Sequence, residues 1–137
     1  MKIRDVMSKD VQVARPTDTL QDVAGRMATG DFGFIPVAEG DRLVGTLTDR
    51  DIAVRAVAKG GGGASLVSEA MTAPVTTVLD SADLKVALEA MSTGRIRRLP
   101  VLDKHDRLVG VVSLGDLSTR VKEKYAGEAL ESISRAS

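Results

Sequence analysis

The chain is written twice, and that duplication limits its fold more than any other feature of its 137 residues. Met7 and Met71 stand 64 positions apart, and the same step carries Leu20 to Leu84, Met27 to Met91, Gly30 to Gly94, Pro36 to Pro100 and Val37 to Val101. Farther on the step is 65, taking Leu43 to Leu108, Gly45 to Gly110, Thr48 to Ser113 and Asp51 to Asp116. The extra residue falls in a stretch rich in Glu, Gly and Asp after Val37. A hairpin turn there absorbs it without shifting the pairs that face the core. A copy of about 60 residues buries little surface alone, so the two copies are expected to pack together and share one core.

Each copy reads as strand, helix, strand, strand, helix, an α+β pattern. Pro16-Thr17-Asp18 and Asp80-Ser81 supply side-chain oxygens suited to a helix start. Behind them, Leu20, Val23, Ala24 and Met27 in one copy and Leu84, Ala87, Leu88 and Met91 in the other follow the i, i+3, i+4, i+7 spacing of a buried helix face. Gly30 and Gly94 are expected to end these helices in the left-handed conformation. Two hairpins follow, Phe34 to Val37 with Arg42 to Leu47, and Arg98 to Leu102 with Arg107 to Val112. Pro36 and Pro100 lack an N–H, which places them at strand edges or starts. Each copy closes on a helix, with Ile52, Ala56 and Val57 facing inward in the first and Leu117, Val121 and Tyr125 in the second. The stretch Lys59 to Ser65, with four consecutive glycines, reads as a flexible connector. The expected organisation is a first repeat over 1–60, a Gly-rich linker over 61–65, a second repeat over 66–125 and a tail or short helix over 126–137. In that tail Ala126, Leu130 and Ile133 form a narrow apolar stripe.

Composition removes several functions. Without cysteine there are no disulfides, thiol nucleophiles or thiolate metal sites. Lys+Arg and Asp+Glu both number 19, so no net field attracts nucleic acid or anionic lipid, and an anion site must be local. The charged start, Met1 to Asp5, is unlike a signal peptide, and no apolar run reaches the ~18 residues that span a bilayer. These features suggest a cytoplasmic protein without membrane or nucleic-acid partners. His105, the one histidine, sits in the predicted turn Asp103-Lys104-His105-Asp106 and forms neither a triad nor a zinc site alone. The pair Asp49 and Asp51 lies at a helix start, a poor place for catalytic carboxylates. No catalytic residue and no metal ligand is therefore assigned, and no enzyme is expected.

Three stretches, Phe34-Ile35-Pro36-Val37, Leu43 through Ile52, and Arg97 through Val101 with Leu108 through Leu117, resemble the CBS (cystathionine β-synthase) domain family, from about Met7 to Lys122. The resemblance implies two β-α-β-β-α repeats related by a pseudo-twofold axis, the arrangement called a Bateman module. It also implies a homodimer and a regulatory ligand in clefts between the repeats: AMP, ADP, ATP, NAD, S-adenosylmethionine or a related adenosyl compound.

The residues fit that chemistry locally. Thr48-x-x-Asp51 and Ser113-x-x-Asp116 each follow a strand and open a helix, where a hydroxyl and free N–H groups suit a phosphate. A carboxylate one turn on can accept from both ribose hydroxyls. The same spacing is also that of a capping box, which stabilises a helix end with no ligand. By the resemblance, Thr48 or Ser113 contacts phosphate and Asp51 or Asp116 ribose, while Ile35 and Pro36, or Leu99 and Pro100, flank the adenine. Arg97 and Arg98, within a cluster that begins at Arg95, are either phosphate ligands or a solvated strand edge paired with acids. Arg50 is a weaker phosphate candidate, and because Gly115 replaces it in the second copy the two clefts are not equivalent. The expected function is a non-catalytic sensor of adenine nucleotides acting on itself or on another, regulated protein. The alternative is a dimerisation or partner-docking domain with empty clefts.

Overall fold

In the computed structural model, which describes residues 1–120, both long helices start later than the sequence cues suggested. The caps are Thr19, whose Oγ1 accepts from the Asp22 N–H at 3.2 Å, and Asp83, whose Oδ1 accepts from the Lys85 N–H at 3.0 Å. Asp18 turns back instead and accepts from the Arg15 N–H. Helix α1 (Leu20–Gly30) precedes the strands β1 (Phe34–Glu39) and β2 (Arg42–Thr48). A helical stretch then runs from α2 (Asp49–Asp51) through a π turn, Ile52–Ala56, and a 3-10 turn, Val57–Lys59. The short α3 (Val67–Ala70) leads to the second copy: β3 (Val78–Leu79), α4 (Leu84–Gly94), β4 (Arg98–Leu102), β5 (Leu108–Ser113) and α5 over 114–120.

Gly30 and Gly94 are the last helical residues rather than the left-handed ones, which are Asp31 (φ 54°) and Arg95 (φ 53°). A Cβ on Gly30 would lie 2.6 Å from the Phe32 ring. The glycine thus makes room for an apolar residue that folds back over the helix end, its N–H bonded to the Met27 carbonyl.

β1 and β2 pair antiparallel from Phe34↔Thr48 to Glu39↔Arg42, with a bulge beside Val37. Their turn is Gly40-Asp41, with Gly40 at φ 62°, whereas 103–107 connects β4 to β5. The connection is longer in the second copy and each flanking strand one residue shorter, so the one-residue difference between copies falls at the turn, as expected. β3 runs parallel to β4, and β5 lies on the other side of β4. Pro36 and Pro100 stand third in β1 and β4, inside the strands rather than at their starts. The Pro36 carbonyl accepts from the Ala14 N–H, so its nitrogen faces the side where only a single bridge, Ala14↔Val37, forms. No ladder bond is lost there.

Where one shared core was expected, two are found among the described residues. Buried residues fall into two clusters, each within one compact unit. One unit is Asp10–Thr76 with His105–Leu108; its core includes Leu20, Val23, Ile35, Val37, Leu47 and Val67. The other comprises Met1–Lys9, Thr77–Lys104 and the described residues from Val109 on; its core includes Ile3, Leu84, Leu99, Val101, Val112 and Leu117. Each unit is completed by the opening segment of the other repeat. Lys2 bridges Asp83 and Ser8 bridges Val111, while in the other unit Leu66 bridges Thr19 and Thr72 bridges Thr46. Ile3 and Val67, equivalent residues of the two segments, are both fully buried. A buried aliphatic side chain of this size stabilises by roughly 1.5–3 kcal/mol, so the exchange supplies part of each core.

Two further readings change. Val57 is 58% exposed, because the shift to π and then 3-10 turns rotates it off the face that holds Ala56 and Ile52. The glycine-rich stretch is not a free tether. Carbonyls of Ser65 and Gly63 accept from the Leu20 and Gln21 N–H groups, and Gly61 donates to Ala56. It satisfies the open amides at the start of α1. Val121, Tyr125 and the Ala126, Leu130, Ile133 stripe lie outside the described residues.

Candidate functional site

Both hydroxyl–carboxylate motifs form closed capping boxes. The Thr48 Oγ1 accepts from the Asp51 N–H at 3.0 Å, and Asp51 Oδ2 accepts from the Thr48 N–H at 3.0 Å. In the second copy the Ser113 Oγ accepts from the Asp116 N–H at 3.1 Å, and Asp116 Oδ2 accepts from the Ser113 N–H at 3.4 Å. The capping reading is thus realised in both places. It does not use up the groups, since a hydroxyl that accepts one bond keeps its own hydrogen to donate, and a carboxylate has a second oxygen. The second oxygen of Asp51 faces Arg55 Nε at 3.7 Å.

Around Ser113 the second copy opens a pocket of about 440 Å³, lined by Arg97, Arg98, Ser113, Leu114, Gly115 and Ser118. The volume lies in the range of small-molecule sites, roughly 300–1,000 Å³. Strand β4 and the residue before it present the arginines. The Leu114 N–H donates to the Arg97 carbonyl at 2.7 Å, holding the start of α5 against that strand. Both arginines are exposed to solvent, and among the described residues neither pairs with a carboxylate. Two guanidinium groups and a hydroxyl converging on one opening are suited to a phosphate or carboxylate, which accepts bonds from several donors at once. Ser118 was not found from sequence. Its one signal is the helical spacing from Leu114, which sets both on one face.

Other expected residues stand elsewhere. Ile35 is 1% exposed and Leu99 0%, with Pro36 and Pro100 buried beside them. The side chains of Ile35 and Leu99 belong to the two cores. Arg50 is exposed on α2, its N–H bonded to Asp49 Oδ1 at 2.9 Å. Asp116 is half-buried behind the Ser113 cap and does not line the pocket. A second opening, about 540 Å³ on the outer face of α1, contains none of the expected residues. Its arginine, Arg26, is already bonded to Gln12 and to the Val13 carbonyl. Among the described residues no three potential metal ligands come together, and no helix is long and apolar enough to cross a membrane.

The family model described as CBS domain matches residues 3–57 and again 67–123, most of the chain. The chain belongs to the CBS domain family. The CBS domain-containing protein YhcV of Bacillus subtilis is 40% identical over 133 residues, covering 96% of this chain and 94% of that protein. A crystal structure of Hypoxic Response Protein I with two coordinated zinc ions matches with a TM-score of 0.80 at 32% identity, covering 88% and 98% of the two chains. The CBS domain pair of protein MJ0100, crystallised with 5′-methylthioadenosine and S-adenosylmethionine, has a TM-score of 0.79 at 26% identity and covers 90% and 98%. The CBS assignment confirms the α+β repeat fold.

Proposed function

We propose that this CBS pair is a non-catalytic sensor that binds an adenosine-containing ligand, with the pocket of the second repeat as the place of its phosphate. The observation that carries this reading is the pair Arg97 and Arg98, which line one opening with Ser113 and among the described residues pair with no acid. Positive charge left uncompensated around a concavity is what an anionic ligand requires, and in a chain of zero net charge it is a local feature. The adenosyl compounds bound to the similar MJ0100 pair support the nucleoside half of the ligand. Asp116, one turn beyond Ser113, serves the ribose through the carboxylate oxygen that the cap does not use. The module acts as a cytoplasmic homodimer whose output is passed to another protein.

A second reading rests on the closed capping boxes, which need no ligand to be satisfied: a docking or dimerisation domain. Thermal-shift and calorimetric titration with AMP, ATP, NAD and S-adenosylmethionine separates the two. A ligand that binds only the folded state must raise its melting temperature. The sensor reading expects at least one of these compounds to do so. A melting temperature unmoved by all four at millimolar concentration would overturn it in favour of docking.

A further inference from the structure

The six residues around the second-repeat pocket have equivalents in the first repeat, and the two sets carry opposite chemistry. Arg97 and Arg98 correspond to Gly33 and Phe34, at the step of 64, while Ser113, Leu114, Gly115 and Ser118 correspond to Thr48, Asp49, Arg50 and Ala53, at the step of 65. The two backbone frames share one hydrogen bond at the start of the helical stretch. Asp49 donates from its N–H to the Gly33 carbonyl at 3.0 Å, as Leu114 does to Arg97 at 2.7 Å. On that shared frame the second repeat places two arginines and no acid, and the first places one acid beside one arginine.

The position of the acid decides what this means. A Cβ built on Gly33 would lie 2.8 Å from Asp49 Oδ2 and 3.0 Å from its Cγ. The carboxylate therefore fills the space from which the Arg97 side chain departs in the other copy. Where the second repeat offers a guanidinium to an incoming anion, the first offers a carboxylate, and Gly33 is the residue that admits it. Arg50 does not restore the pattern, because it stands where the second copy has Gly115 and its neighbours in the chain are Asp49 and Asp51.

We infer that the two repeats are a charge-selective pair: the second takes the phosphate-bearing ligand, and Asp49 seated over Gly33 makes the first turn phosphate away and admit at most an adenosyl compound without one. Asp49 is then a specificity residue acting by repulsion, which separates ligands of similar shape that differ in charge. This rests on the sensor reading above.

The test is calorimetric titration of the full chain with AMP and, separately, with adenosine. The wild type should bind one AMP per chain. Asp49→Asn, which keeps the shape and removes the charge, should raise AMP affinity at the first repeat by about tenfold, the scale of ~1.4 kcal/mol. Gly33→Arg combined with Asp49→Leu transplants the second-repeat residues and should give two AMP per chain. The reciprocal Arg97→Gly with Leu114→Asp should weaken AMP by about tenfold or more while adenosine changes by less than about threefold. Circular dichroism and melting curves check the folding of each variant. Should the double variants unfold, Asp49→Asn decides, and unchanged AMP binding by it overturns the inference. Two equivalent AMP sites in the wild type would overturn the charge division and leave the sensor reading standing. Binding of neither AMP nor adenosine by the wild type would overturn the inference, and the sensor reading falls with it only where ATP, NAD and S-adenosylmethionine also fail to bind.

Discussion

The sulfur of Met71 occupies the place where Gly45 would carry a side chain: a Cβ there would lie 2.7 Å from Sδ. Met7 and Gly110 repeat the relationship in the other unit, also at 2.7 Å. These glycines precede the hydroxyl–carboxylate motifs. Their role in the structure is to let the exchanged segment reach the strand, where Thr72 and Thr46 trade backbone bonds at 2.8 and 3.0 Å, and Ser8 and Val111 at 2.9 and 3.0 Å.

Alanine at either glycine should therefore destabilise the fold, by about 1–3 kcal/mol, the cost of overpacking a tight site. Gly110→Ala should be the worse of the two. Its Cβ would meet the Ser8 carbonyl oxygen at 2.7 Å, against 3.1 Å to Thr72 for Gly45, and backbone yields less than a methionine side chain. Urea denaturation of both variants orders them. Equal stability with wild type would show that the segments move aside freely.

Removing the caps separates their two roles. Thr48→Ala and Ser113→Ala should each cost about 0.5–2 kcal/mol of stability, since each hydroxyl accepts an orphan helix N–H. Only Ser113→Ala should also weaken AMP binding. Comparable loss of affinity in Thr48→Ala would move the phosphate to the first repeat.

Asp116→Ala should weaken an adenosine-containing ligand by about 1–3 kcal/mol, the range for losing charge-assisted hydrogen bonds, with the secondary structure retained by circular dichroism. Unchanged calorimetric affinity in both Asp51→Ala and Asp116→Ala would remove the ribose role from these carboxylates.

Arg97 and Arg98 are exposed, so their attraction for an anion is screened by salt. AMP affinity should fall between low and physiological ionic strength in the wild type, and less steeply in Arg97→Ala. Parallel salt dependences in the two proteins would show that Arg97 takes no part.

Association is tested by light scattering across micromolar concentrations. A homodimer gives a constant mass of twice the chain, the commonest closed symmetry for an oligomer. A single chain mass throughout would leave the module monomeric.

The sequence by itself determined what depends on neighbours close along the chain. The duplicated pattern, the two apolar helix faces, the hairpins, the turn that absorbs the extra residue and the capping boxes of Thr48 and Ser113 all follow from spacing and side-chain chemistry, and all are present, except that Ala24, expected on the buried face of α1, is exposed. Even here the limits are local: Thr17-Asp18 and Asp80-Ser81 looked as good for caps as Thr19 and Asp83, because several oxygens in a row satisfy the same rule. Only the tertiary structure decided which repeat each opening segment completes. Ile3 shares a core with Leu99 and Leu117, and Val67 one with Ile35 and Leu47, and this could not be read beforehand because a bridge to a distant strand leaves no periodic signature in the sequence. It also decided that Ile35 and Leu99 are core, that the glycine stretch is tied to α1, and that the Asp49 carboxylate sits over Gly33. Each is a matter of which surfaces meet in space, and spacing along the chain carries no record of that.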